Sequence, residues 1–344
     1  MSAVLRPTPA QLAWQRAGVG MFLHFGLNTF AGLEWSDGTL DPAIFDPTDL
    51  DAGQWVDTAV ELGAAYVVLT AKHHDGFCLW PTATTDYSVA SSPWRGGHGD
   101  VVAEVADACR RRGIGFGVYL SPWDRHAPGY QDAAAYVTDR MALNQYVTGS
   151  DQLAENVYAP PECDVSIRRG WFWHPDDAPK SVAHLMAIHL QSVGLGANLL
   201  LNLPPDISGR IDAADVDRVR EFRAELDRRF ARAAHATLVQ QEPGCWIATL
   251  PESTEVGQIE LREAVENGQR ITRHAVVDDG RELVAGGTVG IRRIHQVASA
   301  TLSSFEIRTD EDAELNAVIV YPADATLITP ELPDGYEAST EPPE

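Results

Sequence analysis

Within the first 126 residues, three short apolar runs each end in a cluster of His, Trp, Asp or Arg. Residues 21–25 (MFLHF) carry His24. Residues 66–69 (YVVL) run into Thr70-Ala71-Lys72-His73-His74-Asp75, and residues 114–120 (IGFGVYL) run into Ser121-Pro122-Trp123-Asp124-Arg125-His126. Apolar runs of that length read as buried strands. Polar chemistry directly after a strand is how α/β folds build a site at the strands' C-terminal ends. Amphipathic stretches separate the runs. Asp51 with Gln54 predicts a capping box opening a helix that turns Trp55, Ala59 and Leu62 to one face. Residues 100–112 predict a helix with Val101, Val105 and Cys109 inward and Gly113 as its stop. Further on come a helix at 182–192, a strand at 198–203 and a helix from Asp212 to about Arg232.

This alternation predicts an α/β architecture, and no glycine-rich phosphate loop follows any of the strands, so a (β/α)8-type barrel is expected over 1–234. From about His235 the texture changes. Runs at 259–265, 271–277, 289–294, 305–308 and 315–321 are broken by Asn267-Gly268, Asp279-Gly280 and Gly286-Gly287. Short β-type runs with such turns predict a C-terminal β-sandwich over 235–325. The Pro- and Glu-rich tail, 326–344, is expected to be loose.

The formal net charge of −23 disfavours nucleic acid and anionic membrane surfaces as partners. No apolar run approaches the length of a membrane span. The first residues hold no apolar leader, so a cytoplasmic location is expected. Cys78, Cys109, Cys163 and Cys245 form no CxxC pair and read as structural thiols.

Adjacent histidines at a strand end cannot both face inward, because side chains alternate, so the chain must turn at His73-His74. With His24 and His126 at other strand ends, several imidazoles can converge on one mouth. Imidazoles donate to and accept from sugar hydroxyls, and Trp35, Trp80, Trp123 or Trp171 offer flat walls for sugar C–H faces. Histidines hydrogen-bonded to backbone are the plainer alternative. A metal site is a third reading, but no His-x-His or Cys/Glu partner stands at ligand spacing, so neither metal nor cofactor is expected.

The runs 24–30 (HFGLNTF), 34–38 (EWSDG), 70–77 (TAKHHDGF), 99–102 (GDVV) and 119–125 (YLSPWDR) resemble glycoside hydrolase family 29 α-L-fucosidases, the branch acting on α-1,3/1,4-linked fucose above all. The resemblance resumes at 161–168 (PECDVSIR), 170–172 (GWF) and 198–206 (NLLLNLPPD). Past Cys245 it continues through Leu261-Arg262-Glu263 and Gly268-Gln269-Arg270. It implies that His24, Glu34, Trp35, His73, His74 and Tyr119 contact the hydroxyls and ring of fucose, with Trp171 as the wall for its methyl side. Tyr119 filling the barrel and Glu34 pairing with a surface arginine are the bland alternatives. The expected partner is a fucosylated glycan or fucoside.

Retaining glycosidases need two carboxyl groups about 5–5.5 Å apart. The resemblance implies a nucleophilic Asp in a Trp-Phe-Asp-Gly run and an acid/base Glu in a Gly-Asn-Glu context, and neither run occurs. Trp171-Phe172-Trp173 belongs to another motif and lacks the Asp. Between Arg125 and Glu162 there is room for one helix (133–147) and a loop. A full barrel takes about 250 residues, and only four or five strands can be placed before residue 232. The expectation is therefore a barrel truncated between 127 and 160, short of about three βα units, with unpaired strand edges. Asp124, Glu162, Asp164 and Asp206 lie in the matching motifs, none with the nucleophile's role, and Asp151 and Glu155 sit in the shortened connection, where they can approach the site. The expected function is retaining hydrolysis of terminal α-L-fucose by descent, with catalytic residues unassigned. The alternatives are a non-catalytic fucose or glycan binder and a deletion product that folds poorly.

Overall fold

A computed structural model describes residues 5–130 and 158–333. The apolar runs form parallel strands β1 (Val19–Leu23), β2 (Tyr66–Lys72), β3 (Gly115–Leu120), β4 (Glu162–Ser166) and β5 (Asn198–Asn202), ordered β3-β2-β1-β5-β4. Among the helices are α1 (Pro9–Ala17), α2 (Leu27–Ala31), α3 (Ala52–Leu62), α4 (Val101–Arg112), α5 (Val182–Gln191) and α6 (Ala213–Phe230). Helix α3 touches α4 and α6, and α6 touches α5. The helices thus lie in the order α4-α3-α6-α5, following the strands they connect. Each crossover steps the same way around the sheet, from β4 to β5 and from β1 through β2 to β3. The connection expected at 127–160, with its helix at 133–147 and the carboxylates Asp151 and Glu155, lies largely outside the described residues.

Alternation decides what each face of the sheet meets. Val67 and Leu69 of β2 point to the helices and are buried against Trp55, Val56, Ala59, Val101 and Val105. Each such side chain contributes roughly 1.5–3 kcal/mol. On the other face Tyr66 lies over Gly20, where a Cβ would stand 2.4 Å from its ring. The Tyr66 hydroxyl donates to Glu162 Oε2 at 2.9 Å. That bond joins β2 to β4 across two intervening strands, because the sheet curls around its inner face.

The capping at α4 follows the sequence: Asp100 accepts from the Ala103 N–H at 2.8 Å, and Gly113 ends the helix at φ +69°. At α3 only half of the expected box forms. Asp51 accepts the Gln54 N–H at 3.0 Å, but the Gln54 amide bonds both the C=O and the N–H of Ile211, at 2.9 and 3.0 Å. A tertiary partner has displaced the reciprocal cap.

The C-terminal half is one antiparallel sheet of seven strands. These are β6 (Ala234–His235), β7 (Thr237–Glu242), β8 (Cys245–Glu263), β9 (His274–Asp278), β10 (Arg281–Gly286), β11 (Arg293–Arg308) and β12 (Leu315–Pro322). Their order is β10-β9-β11-β8-β12-β6, with β7 on β8. The sequence predicts a sandwich of short strands, whereas β8 and β11 run for 19 and 16 residues through the whole sheet. Register shifts between Gln296 and Ala300 and between Leu302 and Ser304 interrupt the apolar alternation of β11, so one long strand reads as separate short runs. A second apolar core, including Ile259, Phe305, Ile307 and Val320, belongs to this sheet.

The start of the tail is not loose. Buried Glu225 of α6 accepts the Ile328 N–H at 3.0 Å, the Arg229 guanidinium donates to the Ile328 carbonyl at 2.5 Å, and the Glu331 N–H reaches the Ala183 carbonyl. Residues 334–344 lie outside the described residues. No helix among the described residues is long and apolar enough to cross a membrane.

Candidate functional site

At the C-terminal end of the parallel sheet, a cavity of about 140 Å³ is lined by Phe22, His24, Glu34, Trp35, His73, His74, Tyr119, Asp164 and Trp171. The seven residues to which the family resemblance assigns contact with fucose are all brought together there. Each comes from a strand end or the loop just beyond: His24 after β1, Glu34 and Trp35 after α2, His73 and His74 after β2, Tyr119 on β3, and Trp171 after β4. Tyr119 and Asp164 sit on the two edge strands, so the curled sheet closes both of its ends onto one space.

The histidines stack among aromatic rings. His74 lies parallel to Trp35, with centroids 4.5 Å apart at 6°. His73 is 4.2 Å from His74 and 5.0 Å from Phe172, and His24 is 5.0 Å from Trp171. Burial makes protonation costly. It lowers His24 to about 3, with the nearby His74 adding to the effect and the bond to Asn202 opposing it. Burial also lowers His73 well below the usual imidazole value, and lowers His74 to about 4 with help from Arg125 and Lys72. All three rings are neutral at physiological pH.

Glu34 turns its carboxylate to a backbone turn. Oε2 accepts the Trp171 N–H at 2.7 Å and Oε1 the Phe172 N–H at 3.2 Å, while the Asn28 amide of α2 holds the Glu34 carbonyl at 3.2 Å. Gly170 permits the approach, since a Cβ there would stand 2.2 Å from Oε1. Burial raises the Glu34 carboxyl, Trp171 and Phe172 pull it down, and Asp177 raises it further. Behind the cavity, Lys72 Nζ donates to the Trp123 carbonyl at 3.0 Å and pairs with Asp124 at 3.3 Å. Buried Asp75 accepts the Phe77 N–H at 3.1 Å, and desolvation lifts its carboxyl to about 6.

Three expectations change. His126 does not join the other imidazoles: its ring stacks on Tyr87 at 4.0 Å and Nδ1 bonds the Gly38 carbonyl at 2.8 Å. It stands six residues past β3, where strand alternation no longer sets its direction. Trp80 and Trp123 are not among the lining residues, and Trp123 packs behind His74 at 4.7 Å. Conversely, Phe22 and Asp164 line the cavity and Asn202 braces it. Phe22 was legible as two positions before His24 on one strand face, and Asn202 as the polar end of an apolar strand. Strand β4 (ECDVS) has too little apolar patterning to announce where Asp164 points.

A larger cavity of about 390 Å³ adjoins the site, lined by Glu34, Gly170, Phe172 and Trp173 among others, and two of about 290 and 400 Å³ lie at the opposite end of the strands beside Gly18. In these last two the arginines are paired, Arg16 with Glu266 at 3.1 Å and Arg292 with Glu260 at 3.0 Å, and none of the seven residues expected to contact fucose lines them. Among the described residues no group of three or more His, Cys, Asp or Glu stands ready to hold a metal ion.

The sequence profile of the Alpha-L-fucosidase family matches residues 40–158. Alpha-L-fucosidase 1 of Arabidopsis thaliana is 32% identical over 409 aligned positions, covering 84% of this chain and 81% of that protein. The aligned 84% of this chain's 344 residues is about 289, so roughly 120 of the 409 positions are filled only in the Arabidopsis protein. A crystallised glycoside hydrolase 29 family member from an unknown rumen bacterium is 27% identical, with a TM-score of 0.81 over 98% of this chain and 80% of that one. A Ruminococcus gnavus GH29 fucosidase solved in complex with fucose, 23% identical, shares the fold with a TM-score of 0.77 over 94% of this chain and 97% of its own. Motifs, fold and relatives agree: this chain belongs to the α-L-fucosidases of glycoside hydrolase family 29.

Proposed function

We propose that the cavity binds the terminal α-L-fucose of a fucosylated glycan, and that binding is what this chain retains of its family's activity. One observation carries the reading: the lining holds three neutral imidazoles, two indoles, a tyrosine, a phenylalanine and the carboxyls of Glu34 and Asp164, with no Lys or Arg. That lining suits a neutral polyol with one apolar edge and gives a phosphate or carboxylate no counter-charge. The volume, below the roughly 300–1,000 Å³ of drug-sized sites, accommodates a single sugar ring. His24, His73, His74 and Tyr119 meet hydroxyls in this reading, and Trp35 and Trp171 cover C–H faces, Trp171 on the methyl side. Glycans with α-1,3/1,4-linked fucose are the ligands to try first.

The parallel sheet is read as a sector of a (β/α)8 barrel over 1–234, short of about three βα units between 127 and 160, with 235–325 as an accessory β-domain. Support comes from the one-way strand order, the matching helix order, the meeting of both sheet edges at one cavity and the excess of aligned positions in the Arabidopsis protein. On the edge strand, Val118 and Leu120 remain 50% and 57% exposed.

Binding is favoured over hydrolysis because double displacement needs two opposed, available carboxyls. Glu34 commits both oxygens to backbone N–H groups. Hydrolysis is the second reading, favoured by Asp164, which lines the same cavity as Glu34 and has no side-chain hydrogen bond among the described residues. Calorimetry with L-fucose tests the first: heat is expected at millimolar sugar, and none from folded protein eliminates it. An aryl α-L-fucoside tests the second. Release above the uncatalysed blank that disappears in Asp164→Asn establishes turnover, and release no faster than the blank rules it out.

A further inference from the structure

We infer that Asn202 is a positioning residue that locks His24 in the Nδ1–H tautomer, so that Nε2 offers a bare lone pair to the cavity and the site selects a sugar hydroxyl able to donate there. This rests on the fucose-binding reading for its ligand, though not for its geometry.

Asn202 ends β5 and is fully buried. Its Nδ2 lies 2.8 Å from the Trp171 carbonyl, which can only accept, and 2.9 Å from Ser166 Oγ. Its Oδ1 lies 3.1 Å from the His24 backbone N–H, which can only donate. Two backbone groups of opposite character therefore fix the amide orientation; turning it over would set N–H against N–H and C=O against C=O. The same Oδ1 lies 2.9 Å from His24 Nδ1, so Nδ1 must carry the proton. A neutral imidazole has one N–H, which leaves Nε2 an acceptor. Burial opposes the imidazolium form. No hydrogen bond from another described residue reaches Nε2, and the ring itself lines the cavity. A ligand atom opposite Nε2 that cannot donate leaves that lone pair unsatisfied, and such mismatches are what a preorganised polar site rejects.

Two-bond ¹H–¹⁵N correlation spectra of the sugar-free protein, with the His24 signals assigned from their loss in His24→Gln, read the tautomer directly. The wild type and Asn202→Asp, which keeps an acceptor at Oδ1, are expected to show Nδ1 protonated, and Asn202→Ala to lose that pattern. A merely structural Asn202 would change the stability of both variants and the tautomer of neither. Protonated Nε2 in the wild type, or an unchanged spectrum in Asn202→Ala, overturns the lock. Should Asn202→Ala fail to fold, the wild type and Asn202→Asp still decide. For selection, 2-, 3- and 4-deoxyfluoro-L-fucose are titrated against L-fucose. At least one should bind tenfold or more weakly to the wild type, with that discrimination shrinking in Asn202→Ala; equal binding of all three overturns it. A wild type that binds no L-fucose removes the sugar reading and the selection together, whereas the spectrum tests the lock alone.

Discussion

Glu34 Oε2 accepts the backbone N–H of Trp171 at 2.7 Å, while the carbonyl of the same residue accepts from Asn202 at 2.8 Å. The aromatic wall of the cavity is thus held by its backbone from both sides, by residues nearly 170 positions apart in the chain. A glutamine in place of Glu34 keeps one acceptor and turns an amide N–H₂ toward the other backbone N–H. Glu34→Gln is expected to cost about 1–3 kcal/mol of stability, lowering the unfolding transition by a few degrees, and to weaken fucose binding about tenfold. Titration calorimetry and thermal melts check this; unchanged affinity would show that the Trp171 turn stands without the carboxylate.

The same turn is anchored from below. Arg168 and Asp215 are both buried, with Nε 2.8 Å from Oδ2 and 3.1 Å from Oδ1, and Arg168 also reaches the carbonyls of His174 and Asp177. Without Asp215 the buried guanidinium keeps only the partly exposed Asp212, at 3.4 Å, as its charge partner, and breaking a buried pair costs about 3–5 kcal/mol. Asp215→Ala should therefore destabilise strongly in chemical denaturation. Arg168→Met with Asp215→Leu should recover much of the stability and little of the sugar affinity, because the turn loses its tether. A double variant no more stable than the single one would contradict this.

The pH dependence has a definite sign. His24, His73 and His74 have folded values far below 6.5, so the unfolded chain protonates first as pH falls. Their contribution to stability is complete above pH 6.5 and is lost as pH falls toward 3–4. Sugar affinity, which depends on the folded state, should stay flat from pH 8 to about 5. Asp75 works the other way: its carboxyl is lifted to about 6, so its contribution is present at low pH and lost as pH rises through that value. Asp75→Asn keeps the acceptor for Phe77 and removes the buried charge. It should raise stability at pH 7.5, by roughly 2–3 kcal/mol, and change nothing near pH 4. Denaturation curves at both pH values check it.

Curvature of the parallel sheet depends on a missing side chain. A Cβ at Gly20 would meet the Tyr66 ring at 2.4 Å, and the displaced ring would lose its bond to Glu162. Gly20→Ala is expected to cost about 1–3 kcal/mol and to loosen the cavity, since β4 carries Asp164. Tyr66→Phe, which removes the hydroxyl alone, should cost less, and equal losses would disprove the steric account.

The sequence by itself determined strands β1, β2 and β3, helices α3 and α4 between them, the cap residues Asp51, Asp100 and Gly113, and the family. These follow from local apolar period and from motifs whose residues adjoin in the chain. Through the family resemblance it also named seven of the nine residues that line the cavity. Only the tertiary structure decided that His126 turns away, that Gln54 leaves its cap for Ile211, that β8 and β11 are long strands rather than several short ones, and that Asn202 governs the proton on His24. Each of these is a competition between partners distant in sequence, settled by burial and hydrogen-bond geometry that no local pattern encodes.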